Sequence, residues 1–232
     1  MTAPERNAAA FIRVEGVLFK RGLLSAAAYV ARNAQGMKER ALRTVGLALG
    51  APAYGLLRQN DRTLANRVAY LAFRGMSQDR IEVLGEEYFH DVLASKLLDR
   101  GVEIVQRMKD EGYRTVLLSE SLPQLMAPLV DKIGARHVDR LVTNHIEFKA
   151  DGDCTGRLLD PVVGGHDAGR FVHRYCEEHG LDARGSAAFG SHAGDLLLLA
   201  SVGKPCAVNP DFTLRRAAHE ADWPIVDYTE DA

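Results

Sequence analysis

The sequence predicts an α/β fold, a parallel sheet flanked by helices with a purely helical block inserted after the first strand, and three observations carry that expectation. A short apolar run, Ala10-Phe11-Ile12 onward to Leu18, opens the chain as a strand that ends in a charged turn around Arg13 and Glu15. From about Gly22 to Ser95 apolar residues recur at helical spacing with little β-branched character. Beyond Lys96 strands and helices alternate, which places helices on both faces of a parallel sheet.

Size and composition suit that fold. A chain of 232 residues with 47% hydrophobic content fits one α/β domain with an inserted piece. The expected division is a core of residues 1–21 and 96–232 with a helical cap of residues 22–95. The net charge of −2 shows no basic stripe for nucleic acid and no long acidic tail, so no polyanionic partner is expected. Cys154, Cys176 and Cys206 are few, odd in number and widely spaced, and read as packed, reduced thiols of a cytoplasmic protein. Residues 1–7 lack the apolar stretch of a secretory signal. The longest apolar stretch, Thr44 to Leu57, is too short and too broken by Gly46, Gly50, Pro52 and Gly55 to span a bilayer.

Within the helical block, Gly36, Gly50-Ala51-Pro52 and Gly75-Met76-Ser77 are the expected joints. Leu64, Val68, Leu71 and Ala72 fall on one face, and Ile81, Leu84, Gly85 and Tyr88 repeat the spacing after a capping Ser77. Tyr54, Tyr70, Phe73, Tyr88 and Phe89 at this spacing suit a core better than a ligand pocket. Gly101 to Glu111 is an amphipathic helix, and Gly112-Tyr113-Arg114 turns it into the continuous apolar strand Thr115 to Leu118. Pro123 fits the first turn of the next helix, which runs to Ile133. A strand at Arg140 to Thr143, a hairpin around Asp151-Gly152-Asp153 and a helix from Arg170 to His179 follow. The remainder reads as strand Ser186 to Phe189, a loop from Gly190 to Asp195, a helix to Val202, and strands at Cys206 to Pro210 and Pro224 to Asp227.

Four segments give these elements a chemical meaning. Phe11-Ile12-Arg13-Val14-Glu15-Gly16-Val17-Leu18 resembles the first motif of the haloacid dehalogenase superfamily, in its phosphoserine-phosphatase-like branch, where two aspartates stand at positions 13 and 15. Val116-Leu117-Leu118-Ser119-Glu120-Ser121 is similar to the second motif, and Gly190-Ser191-His192-Ala193-Gly194-Asp195 to the acidic last motif. The tail from Val202-Gly203-Lys204 to Asn209-Pro210-Asp211 is similar to that branch's ending. The resemblance covers nearly the whole chain and implies a Rossmann-like core with the cap inserted after strand 1.

The resemblance also assigns roles. Position 13 would be the nucleophile and a magnesium ligand, position 15 the general acid and base, Ser119 a phosphoryl contact, and Ser191 and Asp195 the metal-holding end. The third motif should bring a lysine, yet this chain has Asp167 or Ala168 there, with Arg170 as the nearest cation. A guanidinium stays protonated and cannot attack phosphorus. Magnesium needs hard oxygen ligands, and Arg13 and Ser191 remove carboxylates from that set while Asp195 remains. No cofactor is therefore expected, with Mg²⁺ implied only if family-type activity survives. Arg13 is expected to pair with Asp195, with Glu15 or with both, filling the space a metal would take.

The individual residues carry plainer readings as well. Ser119 suits a helix cap as well as a phosphate contact, and Asp195 suits a helix N-terminus as well as a ligand remnant. Adjacent Ser191 and His192 rarely aim at each other as a nucleophile and base would, and His166 and Asp167 read as a solvated loop. Three functions follow. The chain is expected to be a pseudophosphatase that binds a protein partner, with two alternatives. One is a sensor or carrier of an anionic small molecule at Arg13, Ser119, Gly190 and Ser191. The other is a phosphomonoester hydrolase with altered residues.

Overall fold

A computed structural model describes residues 6–20, 23–33, 36–164 and 167–228, so His166 lies outside the described residues. β1 (Ala9–Arg13) is buried along its whole length, because a strand covered by helices on both faces has no solvent side. The helical block follows as α1 (Leu23–Arg32), α2 (Met37–Asn60), α3 (Arg62–Tyr70) and α4 (Gln78–Tyr88). Two joints fall as expected: Gly36 is extended at the head of α2, and Ser77 Oγ accepts the Arg80 N–H at the head of α4.

Two expectations in this block fail, for physical reasons. Gly50-Ala51-Pro52 is not a joint, since α2 continues through it. Pro52 forgoes one backbone hydrogen bond, and α2 packs against α3 and α1, so tertiary contact holds the helix on both sides of that position. In α3 the apolar face is turned outward, with Leu64 43% exposed and Leu71 53% exposed. The buried face is Arg62, Ala65, Asn66, Ala69 and Tyr70, because α3 sends Arg62 to a charged centre while Ala65, Ala69 and Tyr70 join the apolar core. α4 behaves as its pattern demands, burying Ile81, Leu84, Gly85 and Tyr88. Tyr54, Tyr70, Phe73, Tyr88 and Phe89 are all core.

The alternating half runs α5 (Asp99–Asp110), β2 (Arg114–Leu118), α6 (Pro123–Ile133) and β3 (Arg140–Val142). An antiparallel hairpin of β4 (Ile146–Phe148) and β5 (Cys154–Leu158) stands apart from the main sheet and hydrogen-bonds to Gly75 and Met76 of the helical block. The chain ends with α7 (Asp167–His179), β6 (Ala187–Gly190), α8 (Leu196–Ala200), β7 (Lys204–Val208), α9 (Phe212–Glu220) and β8 (Ile225–Val226).

The six-stranded sheet has the order β3-β2-β1-β6-β7-β8, and every pairing is parallel. Chain progression reverses at β1: strands two and three build outward on one side, strands six to eight on the other. Such a switch opens a crevice beyond the carboxyl ends of the strands that flank it. Here the crevice is rimmed by Arg13 at the end of β1, Ser119 after β2 and Ser191 after β6. One apolar layer fills the face toward α1, α4, α5 and α6, and a second, built around Phe11, Val172, Tyr175 and Leu198, fills the other.

Candidate functional site

Gly16 sets the geometry of the first turn. Its φ of +93° lies in the left-handed region, and a Cβ there would run into the Ser191 side chain, so only glycine lets the ends of β1 and β6 approach this closely. Ser191 Oγ donates to the Glu15 carbonyl at 3.2 Å. The turn thereby aims both Arg13 and Glu15 into the crevice, where their side chains are 1% and 7% exposed.

Arg13 does not meet Glu15 as its main partner. Its Nη2 donates to Glu120 Oε1 at 2.9 Å, and its Nε lies 3.1 Å from Asp195 Oδ1, off the line of a good hydrogen bond. Pairing with Asp195 agrees with the sequence expectation, while the second partner is Glu120. Glu15 is instead held by Ser119, whose hydroxyl donates to Oε1 at 2.6 Å, and by the Glu120 N–H at 3.1 Å. Ser119 is therefore not the cap of α6, whose N-cap residue is Leu122 without a side-chain bond; Ser119 Oγ accepts the Ser121 N–H instead.

Two further arginines descend from α2 and α3. Arg62 is buried, its Nε on Glu120 Oε1 and its Nη1 donating to Asp195 Oδ1 at 2.8 Å. Arg58 Nη1 lies 3.4 Å from Glu120 Oε2 and donates to Tyr54 Oη at 3.0 Å. Tyr70 Oη and Asn144 Nδ2 both donate to the Glu120 carbonyl, at 2.8 and 2.7 Å, fixing the backbone that presents this carboxylate. Asp195 Oδ2 accepts the N–H groups of Ser191 and His192 at 3.0 and 3.1 Å, in a capping box with His192. Asp195 serves as an N-terminal carboxylate, as one of its sequence readings has it, and its other oxygen pairs with Arg13 and Arg62.

The charges decide what the centre is. Three guanidiniums, Arg13, Arg58 and Arg62, face three carboxylates, Glu15, Glu120 and Asp195. Burial pushes the Glu120 and Asp195 acids upward, but Arg62 and Arg13 overcome it, leaving Glu120 below its ordinary value and Asp195 at about 2. Glu15 goes the other way: burial and then the Glu120 charge raise it, and Arg13, Ser119 and the Glu120 N–H offset only part. Arg62 is held more firmly protonated by Glu120 and Asp195, which outweigh its burial.

The residues present do not fit a magnesium ion. Both oxygens of Asp195 are engaged, one by two guanidiniums and one by two backbone N–H groups, and Glu120 is surrounded by three arginines. A hard dication needs oxygens that turn lone pairs toward it, and these are turned toward cations. Among the described residues no cluster of three or more His, Cys, Asp or Glu has the arrangement of a metal site.

The other expected positions lie elsewhere. Asp167 is exposed at the head of α7, 3.5 Å from Arg170, itself 84% exposed, so that cation does not reach the crevice. The positive charge expected from the third motif comes instead from α2 and α3. Ser191 and His192 form no nucleophile and base pair, since His192 Nδ1 accepts the Gly194 N–H at 3.0 Å while Ser191 points to Glu15. Burial and the nearby Arg62 hold the His192 imidazole below its ordinary pKa. Glu120, Arg58 and Arg62 escaped the sequence reading. The available signal for Glu120 was a charge set between two serines at the end of an apolar strand, and for Arg62 it was the Arg62-Ala65-Asn66-Ala69 periodicity.

Known proteins share this architecture. The solved structure of a protein of unknown function from Bordetella pertussis Tohama I superposes with a TM-score of 0.79 at 21% identity, covering 97% of this chain and 99% of that one. A phosphoserine phosphatase solved as a phospho-aspartyl intermediate analogue gives 0.68 at 13% identity, covering 98% and 96%; at such identities the likeness is one of fold. Phosphoserine phosphatase SerB1 of Mycobacterium tuberculosis is 28% identical over 169 residues, 73% of this chain and 54% of that protein. The inhibition of morphological differentiation protein of Streptomyces azureus is 30% identical over 162 residues, 69% of this chain and 57% of that protein. The chain thus spans little more than half the length of these curated relatives. A family model for haloacid dehalogenase-like hydrolases matches residues 22–200, beginning beyond the strand that ends in Arg13. The chain belongs to the haloacid dehalogenase-like hydrolase family, with its likeness concentrated in the phosphoserine-phosphatase-like branch.

Proposed function

We propose that this member of the family is catalytically silent and acts by binding, as a pseudophosphatase that engages a protein partner. One observation carries the reading: at the end of β1, where phosphoryl transfer through aspartate needs a carboxylate, the Arg13 guanidinium is locked against Glu120 and Asp195. Attack on phosphorus needs an electron pair, which a guanidinium does not offer, and losing a nucleophile removes orders of magnitude of rate. The crowded oxygens of Asp195 support a centre that works without Mg²⁺. Free thiols at Cys154, Cys176 and Cys206 support a reducing, cytoplasmic setting.

A phosphatase assay tests the reading. The purified chain with an aryl phosphate and Mg²⁺ is expected to show no turnover above background. Turnover that disappears in Glu15→Ala would overturn the reading and establish a hydrolase with altered residues. The double reversion Arg13→Asp, Ser191→Asp asks the complementary question of whether the pocket still accepts a phosphoester once carboxylates return.

A second reading, a sensor of small anions, is favoured by the convergence of three guanidiniums on one point. Glu120 already occupies that point as an internal anion. The sensor reading therefore requires inorganic phosphate to raise the melting temperature of the wild-type chain, and Glu120→Gln to enhance the shift by removing the competitor.

A further inference from the structure

Tyr175, on α7, carries a group that the crevice does not explain. The residue is 3% exposed, yet its hydroxyl has no hydrogen-bond partner among the described residues. A buried phenol ordinarily has one, because leaving it unpaired costs stability. The ring cannot swing in search of a partner. Phe11 and Phe171 meet it with ring centroids 5.7 Å away, and His179 stacks on it at 4.1 Å while its Nδ1 is 2.9 Å from the Tyr175 carbonyl oxygen. The hydroxyl is therefore fixed in one place with its hydrogen-bonding capacity unspent.

Two cations converge on that place. Arg114 and Arg140 are the first residues of β2 and β3, and because Arg140 is in register with Val116 they are diagonal neighbours on adjacent strands. Strand alternation turns both to the face where Val116, Leu118 and Val142 pack with Tyr175. The Arg114 guanidinium carbon lies 5.8 Å from the centre of the Tyr175 ring. Both arginines are exposed, and among the described residues neither enters an ion pair. Asp139 is close enough to act on the hydroxyl, but its carboxylate is engaged by Lys109 Nζ at 2.6 and 2.8 Å and by the Thr115 N–H at 2.8 Å. Burial raises the Tyr175 hydroxyl above its ordinary pKa against the pull of Arg114 and Arg140, so at neutral pH it keeps a proton to donate.

We propose that Arg114, Arg140 and Tyr175 form a binding site for a phosphate dianion, the two guanidiniums forking onto its oxygens while the Tyr175 hydroxyl donates from beneath. Two positive charges answer two negative ones, whereas a carboxylate would answer only one. The clamped ring offers the third contact with little further loss of freedom on binding. The site stands at the amino ends of the strands, the opposite edge of the sheet from Arg13, and it does not depend on whether that centre is silent.

Thermal melts of the full chain at matched ionic strength test it, comparing inorganic phosphate with chloride and acetate. Phosphate is expected to raise the wild-type melting temperature by about 2–4 °C, and acetate by much less. Glycerol phosphate separates the sources of the dianion: a larger shift at equal concentration marks an esterified ligand, an equal or smaller one the free ion. Arg114→Ala with Arg140→Ala should abolish the phosphate shift. Tyr175→Phe keeps the ring contacts and loses no hydrogen bond, so in chloride it should melt at or above the wild type, while in phosphate most of its shift should be lost. Absence of a phosphate shift, an equal shift with acetate, or an undiminished shift in the double-alanine variant would overturn the proposal. So would a lower melt of Tyr175→Phe in chloride, which would show the hydroxyl already satisfied. A shift that Glu120→Gln enlarges and the double-alanine variant retains would overturn it too, because the ion would then sit in the crevice.

Discussion

Asp195 shows how individual side chains set the character of this centre. A buried carboxyl left alone would hold its proton; Arg62, Arg13 and two backbone N–H groups instead bring it to about 2, below its ordinary 3.8. An acid with a lowered folded-state pKa contributes stability that is present above the unfolded value and is lost as pH falls through the folded one. Asp195 is thus expected to supply on the order of 2 kcal/mol at neutral pH, lost between about pH 4 and pH 2, with Glu120 contributing in the same direction. Glu15 has the opposite sign, since its pKa is raised from 4.5, and its charge costs stability as pH rises through the folded value. Urea midpoints recorded from neutral to acid pH check this: Asp195→Asn should flatten the acid limb, and an unchanged limb would show that Asp195 is not its source. Arg13, Ser119, Ser191 and Asp195 could be placed in one crevice from the sequence because each ends or follows a recognisable apolar strand. Glu120 could not be given its role, because the arginines that hold it come from helices whose docking no local pattern encodes.

At the scale of elements, two helices depart from the sequence expectation in different ways: α2 runs through Gly50-Ala51-Pro52 where a joint was expected, and α3 buries a different face from the one its leucines mark. Periodicity reports which face of a helix is apolar, and the usual inference that this face is buried assumes an apolar partner. α3 packs over the charged centre, so Arg62 and Asn66 go inward together with Ala65, Ala69 and Tyr70, while Leu64 stays outside. α4 meets apolar α6, and there the pattern reads correctly. That contact depends on Gly85, where an added Cβ would sit 2.5 Å from the Gln124 carbonyl of α6. Gly85→Ala ordinarily favours a helix, by up to about 1 kcal/mol. Here the backbone of α6 must move aside, so we expect a net loss of about 1–3 kcal/mol in chemical denaturation. A stabilised variant would mean that the two helices can separate without loss of packing.

Across the whole molecule the arginines act as a clasp: α2 and α3 supply Arg58 and Arg62, while Glu120 follows the end of β2 and Asp195 stands after β6 at the head of α8. Arg62, Glu120 and Asp195 are buried and Arg58 is 24% exposed, so the clasp is not worth its Coulomb energy. Desolvation consumes much of that gain, and what remains is the penalty for separating partners. This gives the clasp a signature distinct from ordinary packing. Arg62→Met keeps most of the volume but leaves Glu120 and Asp195 short of a cation, and is expected to cost about 3–5 kcal/mol. Glu120→Gln removes an acid from the same set, so adding it to Arg62→Met should restore part of the loss. A double-mutant cycle by chemical denaturation should therefore give a coupling energy of at least about 1 kcal/mol, well beyond the roughly 0.5 kcal/mol scatter of independent sites. Hydrogen exchange locates the effect: in Arg62→Met the amides of α2 and α3 should exchange faster than those of β1 and β2, since helices held by the clasp are released before the sheet that bears it. Additive losses, or equal acceleration in strands and helices, would show that ordinary packing and not the buried ion pairs joins the helical block to the sheet.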